Sequence, residues 1–161
     1  MEDLLAAPLQ AKFALGTLAV ALAVSVVTDL RSRLILNLVT LPALATVAVC
    51  IFWLGGWSLL AEAAIGGLVC AGPFALMLWR GWMGAGDVKL MAVCGAVSGA
   101  AAGWPFSLAV LLSVAVAGGL QSGAWMIAAK LRGRERPKYV PYGISIAAGT
   151  LAAFLWGGAL F

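Results

Sequence analysis

Histidine is absent from this 161-residue sequence, and aspartate and glutamate together number only six. Without histidine there is no Ser-His or Cys-His catalysis, and the commonest metal ligand is missing. Three cysteines, Cys50, Cys70 and Cys94, stand apart in apolar runs with no CxxC spacing. Zinc sites and disulfides are not expected from them; they read as small buried apolar residues. The sequence calls for no metal and no cofactor. Charge of either sign is scarce: 10% of residues are charged and 64% are hydrophobic. A soluble domain of that composition could not cover its surface. The reading is an all-α polytopic membrane bundle, one domain over residues 1–161, with the lipid bilayer as its main partner. The net charge of +4 does not point to nucleic acid, because the basic residues sit in short connections, where topology explains them.

Six apolar runs can be read: Leu9–Val27, Leu34–Leu54, Leu59–Trp79, Val88–Ala102, Phe106–Ala129 and Gly143–Leu160. Most approach the roughly 20 residues that a spanning helix needs. The fourth is short and rich in Gly, Ala and Ser. The first is preceded by Glu2 and Asp3 and lacks a small-residue cleavage site before Asp29, so it is not read as a cleavable signal. Arg31 and Arg33 follow the first run, Arg80 and Lys89 bracket the connection after the third, and Lys130, Arg132, Arg134, Arg136 and Lys138 follow the fifth. The connections Gly55–Ser58 and Gly103–Pro105 carry no charge. The positive-inside rule then makes the odd-numbered connections cytoplasmic and puts both termini outside. Trp53, Trp57 and Trp104 fit an outer interfacial belt, and Trp79 and Trp82 an inner one. Gly95, Gly99 and Gly103 recur every four residues, a pattern that lets membrane helices pack closely. The basic loop Lys130–Lys138 is expected to meet anionic headgroups.

The acids are informative because they are few. Glu2 and Asp3 are terminal, Glu135 lies in the basic loop, and Glu62 sits near the outer interface, where it can snorkel. Asp29 ends the first run and Asp87 begins the fourth. The first run goes inward and the fourth outward, so parity brings both acids to the cytoplasmic face. Two carboxyls at one depth suit shared acid–base work, since close carboxylates do not both ionise easily. Asp29 with Arg31 or Arg33, and Asp87 with Lys89, could instead be interfacial ion pairs. Residues two apart on a helix do not face each other, so Asp29–Arg31 and Asp87–Lys89 pairs need irregular backbone. Gly84 and Gly86, flanking Ala85 before Asp87, remove side-chain bulk there.

These residues carry a family resemblance. Asp29-Leu30-Arg31, continuing through Ile35 to Asn37, resembles the segment D-x-R-x-x-x-I-P-N of the type IV prepilin peptidases. Leu36 stands where that family usually has proline. Met83 to Leu90, with Gly84-Ala85-Gly86-Asp87, resembles its GxGD signature, and Val140-Pro141-Tyr142-Gly143 its late PYG segment. The short, Tad-type branch is the nearest in form, because the chain has no CxxC segment of the methylating relatives.

The resemblance implies a membrane aspartic endopeptidase of the bacterial inner membrane. Its substrates would be prepilin or pseudopilin precursors, cut at the cytoplasmic face without methylation, beside a pilus assembly or secretion machine. It implies Asp29 and Asp87 as the catalytic pair. Gly84 and Gly86 would make room for substrate backbone. Lys89 and Arg31 would tune the acids or anchor headgroups. Asn37 would orient Asp29 or start a helix. Pro141, Tyr142 and Gly143 would bend the chain toward the pair. The competing readings are a non-enzymatic membrane subunit and a proton-coupled transporter that uses the two aspartates.

Overall fold

The computed structural model of the chain describes residues 9–32, 35–132 and 141–157. Glu2, Asp3, Arg33, Leu34, Arg134, Glu135, Arg136, Lys138, Val140 and the end of the sixth apolar run lie outside the described residues. All regular structure among the described residues is helical, in five helices: α1 Leu9–Ser32, α2 Asn37–Trp79, α3 Ala85–Ala102, α4 Trp104–Leu131 and α5 Gly143–Gly157. The first four are long and apolar enough to cross a bilayer, and α5, with 15 residues, is shorter. Their large outward side chains are apolar, among them Leu38, Leu68, Leu112, Leu120 and Leu155. A lipid solvent tolerates this where water would not.

The helix count differs from the six expected runs because α2 joins two of them. A straight 43-residue helix would be roughly 64 Å long, about twice a bilayer core. Yet both of its ends meet the start of α3. Asn37 Oδ1 accepts a hydrogen bond from Lys89 Nζ at 2.8 Å, and Trp79 reaches Ala85 through only five residues, 80–84. The chain therefore folds back within α2, at Gly55 and Gly56, whose backbone is non-helical. Gly56 has φ +63° and ψ −149°, a conformation that needs glycine although a Cβ there would meet nothing within 4 Å. Residues 37–54 and 57–79 are thus two arms of a helical hairpin. Trp53 and Trp57 are exposed at its tip.

The short fourth run is the hub of the bundle. The helix α3 packs against both other principal neighbours, α2 and α4, and also touches α1 and α5. Almost every residue from Leu90 to Ala100 is buried. An all-round buried helix must be lined with small residues if its neighbours are to come close. A Cβ on Gly99 would run into the carbonyl oxygen of Glu62, and one on Gly95 into that of Gly66. Gly103 does not continue this packing stripe, contrary to the spacing argument. It caps α3 at φ +78° and turns the chain into α4, where Pro105 occupies the first turn. Glu62 likewise does more than snorkel: its Oε2 accepts the Trp104 N–H at 3.0 Å, satisfying a helix-start donor. The Glu62 end of the bundle also holds the α2 tip and the α3–α4 corner.

Candidate active site

The opposite end of the bundle collects the residues singled out by the sequence. In α1 the buried positions are Ala11, Ala14, Leu18, Ala21, Leu22, Ser25 and Asp29. They recur at three- and four-residue steps, so one face turns inward along the whole helix. Asp29 is the last residue of that face and is only 6% exposed. The helix continues past it to Ser32, so Asp29 lies inside α1 rather than in a connection. Its Oδ2 accepts the backbone N–H of Gly143, the first residue of α5, at 2.7 Å. A carboxylate there meets an orphan N–H and the positive end of a helix together. A Cβ on residue 143 would lie 2.9 Å from Asp29 Oδ2, so glycine allows the approach.

Asp87 is in the first turn of α3, which starts at Ala85 and not at Val88. Gly84 precedes the helix in extended conformation, and its N–H donates to Asp87 Oδ2 at 3.2 Å. The GxGD segment is therefore a regular helix start. The carboxylates of Asp87 and Asp29 lie within Coulombic reach of each other. Tyr142 precedes Gly143, whose N–H holds Asp29, and its phenol is within Coulombic reach of the Asp87 charge. Burial first, and then that charge, hold the Tyr142 phenol above its ordinary range, so it remains a hydrogen-bond donor.

The supporting residues divide. Gly86 faces the connector before α2, and a Cβ on it would come within 2.6 Å of Ile35 Cβ and of its carbonyl oxygen. A Cβ on Gly84 would meet only Asp87 Oδ2, at 3.2 Å. Lys89 gives its ammonium to Asn37, tying α3 to the start of α2. Leu36, in the place of the usual proline, adopts φ −73°. That is close to the angle proline would impose, and α2 begins normally at Asn37. Arg31 is exposed on the last turn of α1. Among the described residues no three His, Cys, Asp or Glu side chains group as metal ligands.

Residues 16–122 match the profile of the type IV leader peptidase family, about two thirds of the chain. The chain belongs to that family. It is accordingly a protease, a hydrolase built into a bundle of apolar membrane helices. The matched stretch contains Asp29 and Asp87 and ends before Pro141. Searches of curated proteins and of solved structures found no match.

Sequence reasoning missed the residues of this family member that hold Pro141–Gly143. The Tyr142 ring packs edge-to-face on Phe74, with centroids 5.9 Å apart. Its hydroxyl lies where a Cβ of Gly118 would be. Gln121, one turn further along α4, donates from Nε2 to the Pro141 carbonyl at 2.6 Å and accepts from Ser145 Oγ. One signal was available: Gln121 is the lone amide in the run Phe106–Ala129. Gly118 carried none, since its need for glycine comes from a ring on another helix.

Proposed function

We propose that the chain is a membrane aspartic endopeptidase that removes the leaders of prepilin or pseudopilin precursors, with Asp29 and Asp87 as its catalytic pair. The observation that supports this reading is that Asp29 and Asp87, from distant parts of the chain, lie at the same end of the bundle and within Coulombic reach of each other. Each has one oxygen, Oδ2, engaged by a backbone N–H, from Gly143 and from Gly84.

The chemistry is a paired acid–base hydrolysis. One aspartate, as carboxylate, takes a proton from a water as its oxygen bonds to the scissile carbonyl carbon. The other, holding a proton, donates it to the carbonyl oxygen. Collapse of the tetrahedral intermediate breaks the C–N bond as the aspartate that took the water proton passes it to the nitrogen, releasing the amine, and the other aspartate takes a proton from a hydroxyl of the intermediate. Both carboxyls thus return to their starting states, and their titration belongs to the pair.

The substrate reading rests on the family together with the charge pattern. Arg31, Arg80, Lys89, Lys130 and Arg132 occur at the helix ends that share the Asp29 side of the bundle. This supports a cytoplasmic face for the site and external termini in a bacterial inner membrane. A precursor whose apolar helix lies in the bilayer would present its leader junction at that depth. The chain has no CxxC segment, which favours cleavage without methylation.

Co-expression with a pilin precursor tests the proposal, with leader removal read by intact-mass spectrometry. Wild type should yield mature pilin. Asp29→Asn and Asp87→Asn should each slow cleavage by roughly 10²–10⁴-fold, the usual contribution of a positioned acid or base. Wild-type processing by either variant would sink the assignment of the pair.

A further inference from the structure

An amide inside an apolar membrane helix is costly unless both its ends are hydrogen-bonded. Gln121 meets that condition in an unusual way. Its nitrogen binds the carbonyl of Pro141, two residues before Gly143, and its oxygen binds the hydroxyl of Ser145, two residues after it. Gly143, at the midpoint, sends its N–H to Asp29. The Pro141 carbonyl precedes α5 and is outside its hydrogen-bond ladder, so it is free to accept a side chain. Ser145 is buried, on the first turn of α5. Gly118, three residues before Gln121 and hence on the same face of α4, receives the Tyr142 ring between the two anchor points.

We infer that Gln121 is a positioning residue: its amide clamps the chain at Pro141 and Ser145 so that the Gly143 N–H is aimed at Asp29. This rests on the proposed function for its catalytic consequence, but its geometry can be read without any cleavage. The clamp acts on Asp29 only through Gly143. Gln121 itself touches neither aspartate in the hydrogen bonds it makes. A leucine in its place would satisfy lipid and packing as well or better, yet would release both anchor points.

The test uses the full chain in detergent micelles, as wild type, Gln121→Leu, Ser145→Ala and the double variant. Carbonyl-¹³C tyrosine with ¹⁵N glycine labels a single Tyr-Gly peptide, Tyr142–Gly143, because the other tyrosine, Tyr139, precedes valine. Its amide signal reports the hydrogen bond to Asp29 directly. In Gln121→Leu this signal should move upfield. The kcat on a pilin precursor should fall roughly tenfold to a hundredfold while KM stays within about twofold, as for a misplaced catalytic group. Ser145→Ala should move both readouts in the same direction by less, and should add nothing in the Gln121→Leu background. An unmoved Gly143 signal in Gln121→Leu overturns the inference, whether kcat is unchanged or falls together with thermal stability. If Gln121→Leu does not fold, an unmoved signal in Ser145→Ala overturns it equally. The proposed function fails separately, if Asp29→Ala cleaves like wild type.

Discussion

Gly143 donates its backbone N–H to Asp29 Oδ2 at 2.7 Å across 114 positions of sequence. The contact makes an aspartate on the first helix the cap of the last one. It also explains why residue 143 is a glycine, since the space a side chain would need is taken by the carboxylate. Gly143→Ala should therefore push Asp29 off its position. The expected result is a loss of cleavage of roughly tenfold to a hundredfold, from a shift well under the size of a methyl group. Comparing kcat with the melting temperature in detergent checks it: kcat should fall far more than stability.

The two glycines before Asp87 should behave differently from each other. A methyl on Gly86 would land 2.6 Å from the Ile35 backbone oxygen, which cannot move without shifting the α1–α2 connector. A methyl on Gly84 would meet only the Asp87 carboxylate at 3.2 Å, and the backbone there, φ −80°, suits any residue. Gly86→Ala is expected to cost about 1–3 kcal/mol of stability by overpacking, and Gly84→Ala well under that. Paired thermal denaturation of the two purified variants distinguishes them; equal losses would refute the packing account of Gly86.

Glu62 works at the far end of the bundle, where its carboxylate receives the Trp104 N–H. Glu62→Ala should remove about 1 kcal/mol of stability, typical of a lost helix-start partner. It should leave kcat on a pilin precursor unchanged. A fall in kcat without a fall in melting temperature would contradict a purely capping role.

Chelation provides a fourth check. The chain has no histidine, and no three metal-ligating side chains gather among the described residues. Cleavage of a precursor in micelles should persist in excess EDTA and 1,10-phenanthroline. Activity lost to chelators and restored by zinc would show that the hydrolytic water is activated by a metal and not by the aspartates alone.

Much of this arrangement was legible in one dimension. Apolar runs mark membrane helices because the bilayer requires about the same length of each. Counting runs between Asp29 and Asp87 was enough to bring both acids to one end, whatever the helix packing. The spacing of Gly95 and Gly99 announced a close helix contact, and Gly66 supplies its other side. The same spacing misled at Gly103, where a positive φ ends the helix, because periodicity does not see backbone sign. The reversal at Gly55 and Gly56 was visible as a break in the apolar pattern, though not as a break inside helix-like flanks.

What sequence alone determined, then, is the class of protein, the shared end of the bundle at which Asp29 and Asp87 lie, and the motif segments that bear them. These follow from local composition and from parity, which depend on order along the chain and not on contacts. Tertiary structure decided the rest: α3 as the buried hub, Glu62 as a cap for α4, and Gly143, Gly118 and Gln121 as the surroundings of Asp29 and Tyr142. Each of these depends on a partner from another helix. A glycine or an amide acquires its role only when packing brings that partner within hydrogen-bond or van der Waals distance, and no spacing along one segment encodes it.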